Sequence, residues 1–358
     1  MISDSLKLTV YFGERDRVNG HLTSDLLLDL YQQHGLTAAI LVRGTEGFGS
    51  KHHLHTQRML TLSEDLPLVS IALDARDRIE ALLPELRAVL PGGLVTLERA
   101  RIVTGIDRAA PLLPDLHGAA KLTLYIGRRD RAQGGRAHAW AVDVLHRHGV
   151  AGATVVTGVD GMMHRVRQRA RFFSPNADVP SMVIAVGSGE TIAAALGELG
   201  RGLHLPLVTL ERIRVCKRDG SILAEPTHLP ETDPSGLGVW QKLMVYSGEQ
   251  ARYRGHPLYI ELIHRLRLEG AAGATAVRGT WGYSGDHRPH GDRLFALRRR
   301  VPVVVSLVDQ PDAMRRWWAV VDELTSESGL VTSEMVPAFS AVWPTGTTGG
   351  FRLARLDD

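Results

Sequence analysis

Lys7-Leu8-Thr9-Val10-Tyr11-Phe12-Gly13 decides the fold of this chain, because the stretch returns twice. It recurs as Lys121-Leu122-Thr123-Leu124-Tyr125-Ile126-Gly127 and again as Lys242-Leu243-Met244-Val245-Tyr246-Ser247-Gly248. The offsets of 114 and 121 residues then hold without a gap through Gly47, Gly161 and Gly282. Ten columns of that stretch carry one residue in all three copies. Five are glycines, at 13/127/248, 20/134/255, 35/149/270, 44/158/279 and 47/161/282, so fifteen of the chain's 37 glycines fall in repeated columns. The others are Lys7, Leu8, Tyr11, Ala39 and Val42 with their counterparts. Chance does not produce so many ungapped three-way matches, and the chain is an internal triplication.

The later part of each copy is looser. Asp65-Leu66-Pro67 matches Asp178-Val179-Pro180 and Arg300-Val301-Pro302, and Leu94-Val95-Thr96-Leu97-Glu98 matches Leu207-Val208-Thr209-Leu210-Glu211 and Leu330-Val331-Thr332-Ser333-Glu334. The units are placed at 6–103, 120–216 and 241–337, with linkers over Thr104–Ala119 and Lys217–Trp240. The second linker carries Pro226, Pro230, Pro234, Gly236 and Gly238, residues that punctuate structure. A tail from Ala338 with Pro344, Gly346, Gly349 and Gly350 is expected to pack loosely.

Each unit reads β-α-β-β-α-β. In unit 1 Leu8, Val10 and Phe12 alternate along a strand over Lys7–Phe12. Leu22 to His34 follows a helical pattern, and Gly35 sits where a left-handed C-terminal cap falls. Thr37–Arg43 and Leu68–Leu73 read as the second and third strands. Asp74 is expected to cap a helix reaching Leu90, kinked by Pro84, and Leu94–Val103 is the last strand. The fold class is α+β, with the ferredoxin-like (split β-α-β) element order in each unit. One such unit leaves a sheet face or edge uncovered, so the copies are expected to complete one another's burial.

Composition bounds the function classes. The 358 residues are 44% hydrophobic and 23% charged, as in an ordinary globular protein. Net charge is +3 from 42 basic and 39 acidic residues intermingled along the chain, which argues against a nucleic-acid binder with one strong basic face. Cys216 stands alone, so no intramolecular disulfide and no multi-cysteine zinc site can form, and a buried, inert thiol is expected. No apolar run approaches the roughly 18 residues that span a bilayer. Met1-Ile2-Ser3-Asp4-Ser5 does not open a signal peptide, so a cytoplasmic location is expected and a membrane-embedded one is not. No Gly-x-Ser-x-Gly or Walker A pattern marks a catalytic centre, and no catalytic residue is assigned.

The remaining glycines cluster after the second strand, in Val42-Arg43-Gly44-Thr45-Glu46-Gly47-Phe48-Gly49-Ser50-Lys51-His52-His53-Leu54-His55. Closely spaced glycines let backbone amides approach an anion, or they simply serve tight turns. Arg43 adds a cation suited to phosphate or carboxylate. Pro91-Gly92-Gly93 closes a second loop before the fourth strand. These features, with Ser63-Glu64-Asp65-Leu66-Pro67 and Gly92-Gly93-Leu94-Val95, resemble the uncharacterised PII-like family DUF190 across all three copies.

That resemblance implies a single-chain counterpart of a PII trimer: three ferredoxin-like units forming an intramolecular pseudo-trimer. The runner-up is a larger oligomer exchanging units between chains. It implies a small anionic metabolite or nucleotide, an adenine nucleotide among the candidates, in clefts between units. It also implies a mobile loop (the T-loop) that docks on a transporter or an enzyme. By position, ligand contacts fall to Arg43, Gly44, Gly47 and Gly49 at the loop base and to Gly92 and Gly93 in the loop before the fourth strand (the B-loop). Unit 3 keeps Arg278, Gly279 and Gly282, but has Ser328-Gly329 at the second loop. Unit 2 has Thr157 in place of the arginine and loses the glycine pair. Unequal sites are therefore expected, one or two competent rather than three.

Two stretches compete for attention. His52, His53 and His55 have no threefold counterpart and read as a polar loop rather than a metal site. Arg165, Arg167, Arg169 and Arg171 fall on one face of an extended strand, where they suit a solvated edge or an interface with acids of another subunit. A ligand-free scaffold and an enzyme acting on a small phosphorylated metabolite are the alternative classes.

Overall fold

The structure, a computed structural model, describes residues 2–49, 55–56, 65–103, 118–168, 179–204, 206–284, 289–291, 301–343 and 346–356. In unit 1 the four long strands are Ile2–Gly13, Ala38–Arg43, Pro67–Ala75 and Gly93–Val103. They lie in the order second, third, first, fourth, every neighbour antiparallel. Helix α1 (Thr23–Gln33) precedes the second strand and α2 (Arg76–Leu86) the fourth.

Unit 2 repeats this order with Ala119–Gly127, Gly152–Thr157, Pro180–Ser188 and Leu207–Arg218, and with helices α3 (Ala137–Arg147) and α4 (Gly189–Gly202). Unit 3 does so with Trp240–Gly248, Ala274–Arg278, Pro302–Asp309 and Leu330–Val336, and with α5 (Leu258–Leu268) and α6 (Pro311–Leu324). The chain is thus three tandem mixed α/β units sharing one large, mostly antiparallel sheet.

Strand alternation explains why both sheet faces are buried. On the outer face Leu6, Leu8, Val10 and Phe12 pack under α1 and α2 with Leu27, Tyr31, Ile79 and Leu82. On the inner face Ala38, Ile40, Val42 and Leu73 meet Tyr125, Val156, Met182 and Leu207 of unit 2. Full burial of each such side chain contributes roughly 1.5–3 kcal/mol, and a unit standing alone would lose that contribution on its inner face.

Backbone pairing closes the three units into a ring. The strand after the second strand of each unit adds to the second strand of another: Asp160–Met163 on Ala38–Leu41, Trp281–Ser284 on Gly152–Val155, and Glu46–Phe48 on Ala274–Ala276. The fourth strands close a second ring. Arg101–Val103 pairs with Val208–Leu210, Arg214–Arg218 with Leu330–Ser333, and Gly93–Leu97 with the tail residues Ala338–Val342.

Four expectations change. The tail is not loose: Ala338–Trp343 is a strand, Phe339 and Ala341 are buried, and Trp240 stacks on Phe339 with ring centroids 3.9 Å apart. The second linker starts later than Lys217, because strand pairing carries the fourth strand of unit 2 through Arg218 and buries Lys217, whose Nζ donates to the Asp322 carbonyl at 2.7 Å. Asp74 does not cap α2, whose N-cap is Ala75; its carboxylate accepts from the Thr37 amide at 2.7 Å and so ties the second strand to the third. Pro84 lies within α2, yet α-helical geometry stops at Leu86 and a 3-10 turn, Arg87–Val89, carries the chain to Leu90. The C-terminal caps are as read, with Gly35, Gly149 and Gly270 at φ of 59°, 71° and 90°.

Candidate functional site

Two places combine chemistry with the seams between units. The first is a buried ring of charge. Lys7, Lys121 and Lys242 stand on the inner face of the first strands, and Glu98, Glu211 and Glu334 face them from the fourth strands, with Lys7 directly opposite Glu98 and Lys242 opposite Glu334. Lys7 bonds Glu98 at 2.9 Å and also Glu211; Lys121 bonds Glu211 at 3.1 Å and also Glu334; Lys242 bonds Glu334 at 2.9 Å and also Glu98. Every ammonium therefore bridges two carboxylates and every carboxylate two ammoniums, in a closed alternating ring across all three units.

Burial works against each charge, and the neighbours decide the outcome. Burial raises the Glu98 carboxyl, but Lys242, Lys7 and Lys121 outweigh it and hold it well below the ordinary range. Glu334 is likewise raised by burial and lowered more by Lys121 and Lys242, to about 2. Burial lowers the Lys7 ammonium, and Glu211, Glu98 and Glu334 more than reverse it. Lys242 is also raised, by Glu334 and Glu98 against its burial, whereas at Lys121 burial prevails and the ammonium sits lower. The three glutamates come within 4.8 Å of one another, but lysines occupy the bridging positions a cation would need. Sequence reading overlooked this ring. Its signal was a lysine in every first strand and a glutamate in every fourth.

The second place is the loop base. Gly44 and Gly47 lie against the second strand of unit 3: a Cβ on Gly44 would stand 3.0 Å from the Ala276 carbonyl and 2.7 Å from Pro67 Cγ of its own unit, and one on Gly47 2.9 Å from the Ala274 carbonyl. Gly158 and Gly161 repeat this against Ile40 and Ala39, and Gly279 and Gly282 against Val155 and Ala153. These two columns are glycine because two backbones approach closely there. Gly49 differs, with nothing within 4 Å of its Cβ position.

Gly93, which follows Gly92, has φ 127° and begins the fourth strand, close to the Tyr11 carbonyl. Arg43 lies opposite Leu68, which neighbours Phe12, so Arg43 and Gly93 sit at one end of the sheet but three strands apart, roughly 14 Å. The two loops do converge elsewhere: Leu94, Phe48 and Gly49 all surround Gly273 of unit 3.

Arg43 is not bare. It pairs with Glu14 at the end of the first strand, and Arg278 pairs with the equivalent Glu249 at 2.7 Å. Unit 2 has Arg128 at the acid's position and Thr157 at the arginine's, and the Thr157 hydroxyl lies 3.4 Å from that of Thr280 in unit 3.

The seams share a backbone pattern and differ in side chains. Glu46, buried, meets His264 at 3.0 Å. Arg167 enters an acidic cradle of Asp25 at 3.3 Å, Asp160 at 3.4 Å and Asp29, so this arginine serves an interface between units. At the third seam His146 stands edge-on to Tyr283 at 4.8 Å, and the Tyr283 hydroxyl donates to the Val150 carbonyl at 2.9 Å. Arg165 is exposed, whereas Arg169, Arg171, His52 and His53 lie outside the described residues. Cys216 is buried, and burial pushes its thiol up to about 12. Among the described residues no helix is long and apolar enough to cross a membrane.

A triplicated α/β chain closed by inter-unit strands is the class these features define. The family model DUF190, described as uncharacterized ACR, matches residues 5–102, 119–215 and 240–338, and the chain belongs to that family in three tandem copies. It is 32% identical over 95 residues to a UPF0166 protein of Aquifex aeolicus (strain VF5), covering 26% of this chain and 88% of that relative. It is 28% identical over 89 residues to UPF0166 protein MJ1524 of Methanocaldococcus jannaschii, covering 25% of this chain and 82% of the relative. Each relative is therefore about one unit long. An aspartate kinase structure from Synechocystis gives a TM-score of 0.23 at 11% identity over 96% of this chain and 46% of the kinase, a likeness too low to bear on the fold.

Proposed function

We propose that the chain is a PII-like regulatory protein: three ferredoxin-like units in an intramolecular pseudo-trimer that bind a small anionic effector between units and signal to a protein partner. The observation that carries this reading is the loop base. The segment after each second strand is built into another unit, so an effector bound there touches two units and the start of a partner-facing loop at once. The strand order second, third, first, fourth with a helix before the second and fourth strands is the ferredoxin-like order and supports the kinship. The effector class is an adenine nucleotide or similar phosphorylated metabolite, the partner class a transporter or an enzyme, and the compartment the cytoplasm. The mechanism is a shift between loop states, driven by the effector's higher affinity for one of them.

Arg43 and Arg278 are the phosphate-binding side chains, with Gly44, Gly47, Gly49, Gly279 and Gly282 shaping the loop base and Gly92 and Gly93 the second loop. Each arginine gives one donor nitrogen to its glutamate, and a guanidinium has further N–H groups to offer a phosphate. Unit 2, without the arginine, has the weakest site. Calorimetry with ATP, ADP and AMP is expected to report one or two sites. Arg43→Ala and Arg278→Ala should each weaken one site about 10-fold or more, the scale of a charge-assisted hydrogen bond. Three equal sites would overturn the inequality, and no heat with any adenine nucleotide would overturn the effector class.

A further inference from the structure

The lysine–glutamate ring closes one end of a central cavity of about 90 Å³ to which each unit contributes equivalent residues. Its walls are mostly apolar: Val42, Val156 and Val277 form one three-unit row and Val69, Met182 and Val304 a second, while a third row runs Ile71, Ile184, Ser306 and the first strands add Thr9, Thr123, Tyr11 and Tyr125. The polar end is one-sided. Lys7, Lys121 and Lys242 border the cavity, and none of the three glutamates does. An ammonium has three protons, and each of these lysines gives two of them to its flanking carboxylates. Among the described residues these carboxylates take two N–H groups of each lysine, which leaves one, and the cavity is a space these side chains border.

A chamber with three cationic donors at one end and mostly apolar walls calls for an occupant with matching halves. Water satisfies the donors but gains nothing from the valines, since apolar cavity walls favour dry or apolar occupants. A carboxylate offers two oxygens with four acceptor sites, enough for three donors. A short hydrocarbon chain behind it meets the walls. The ring itself is neutral, three charges of each sign, so one added anion leaves the site at −1 with its charge held against the ammonium face.

We propose that this central cavity is a binding site for a short aliphatic carboxylate, its head accepting hydrogen bonds from Lys7, Lys121 and Lys242 and its chain lying along Val42, Val156 and Val277. The site is separate from the clefts between units, and an adenine nucleotide is far too large for it. Binding here reads all three units at once, because the three lysines belong to three different units.

Calorimetry on the full chain with acetate, propionate and butyrate, in a buffer free of other carboxylates, tests this. Affinity is expected to rise about fourfold with each added methylene until the walls are filled. Butyramide, uncharged and of the same shape, is expected not to bind. Val277→Phe, at a half-buried wall position, is expected to melt as a folded protein and to lose butyrate binding at least 10-fold. Crystals soaked in butyrate should show its head within hydrogen-bond distance of all three Nζ atoms. No butyrate binding at millimolar concentration, butyramide binding as well as butyrate, or unchanged affinity in a folded Val277→Phe would each overturn the proposal. The nucleotide titration stands or falls independently of these outcomes.

Discussion

Lys7 and Glu98 face each other across neighbouring strands, deep inside the protein, and neither is stable there alone. Removing one partner of a buried pair strands the other, at a cost of about 3–5 kcal/mol. Lys7→Met is therefore expected to lower the unfolding free energy from urea denaturation by that amount, and a loss under about 1 kcal/mol would put the ring on a par with surface ion pairs. Acid should act on the same residues. Glu98 and Glu334 titrate lower in the folded protein than their ordinary 4.5, so their contribution is complete above that pH and fades as pH falls, toward about 2 for Glu334. Lys7 titrates above its ordinary 10.5, so its contribution holds below that pH and is lost only as pH rises past it. Urea midpoints that stay flat from neutral pH into strong acid would contradict the carboxylate assignment. Both residue columns are visible in the sequence, lysine in the first strand and glutamate in the fourth. That they meet is not, because the lysine of one unit also bonds a glutamate 204 residues away.

Among the elements, the short strands after each second strand carry the assembly. Glycine is required where they cross a neighbour, and a pair of substitutions separates that duty from ligand binding. Gly282 has φ 155° and a Cβ there would run into the Ala153 carbonyl, so Gly282→Ala should cost about 1–3 kcal/mol through forced separation of the strands. Gly49 has open space around it, so Gly49→Ala should leave the melting temperature nearly unchanged, within the roughly 0.5 kcal/mol of a surface substitution. If Gly49→Ala weakens nucleotide binding at unchanged stability, the loop base serves a ligand as well as a seam. The elements themselves were legible: strand alternation and the glycine caps place all four long strands and both helices of unit 1 within a few residues. The glycines' purpose was not legible, because a close approach to a phosphate and a close approach to another strand demand the same residue.

At the scale of the molecule, both rings of pairing close within one chain, and the 358-residue chain is expected to scatter light as a monomer. The tail is the piece that closes the fourth-strand ring. Truncation after Val336 would uncover the edge at Gly93–Leu97, and an unpaired edge recruits other strands. That variant is expected to melt earlier and to self-associate on sizing with light scattering; a single-chain mass with unchanged melting would show the tail to be dispensable. The sequence by itself determined that the chain is a triplication, where its helices and strands run, and which family it belongs to, since periodicity and caps are local properties. Only the tertiary structure decided what covers the inner sheet faces, where the repeated lysines and glutamates go, and why the loop glycines are needed. Those depend on contacts between segments one or two hundred residues apart, which no local pattern records.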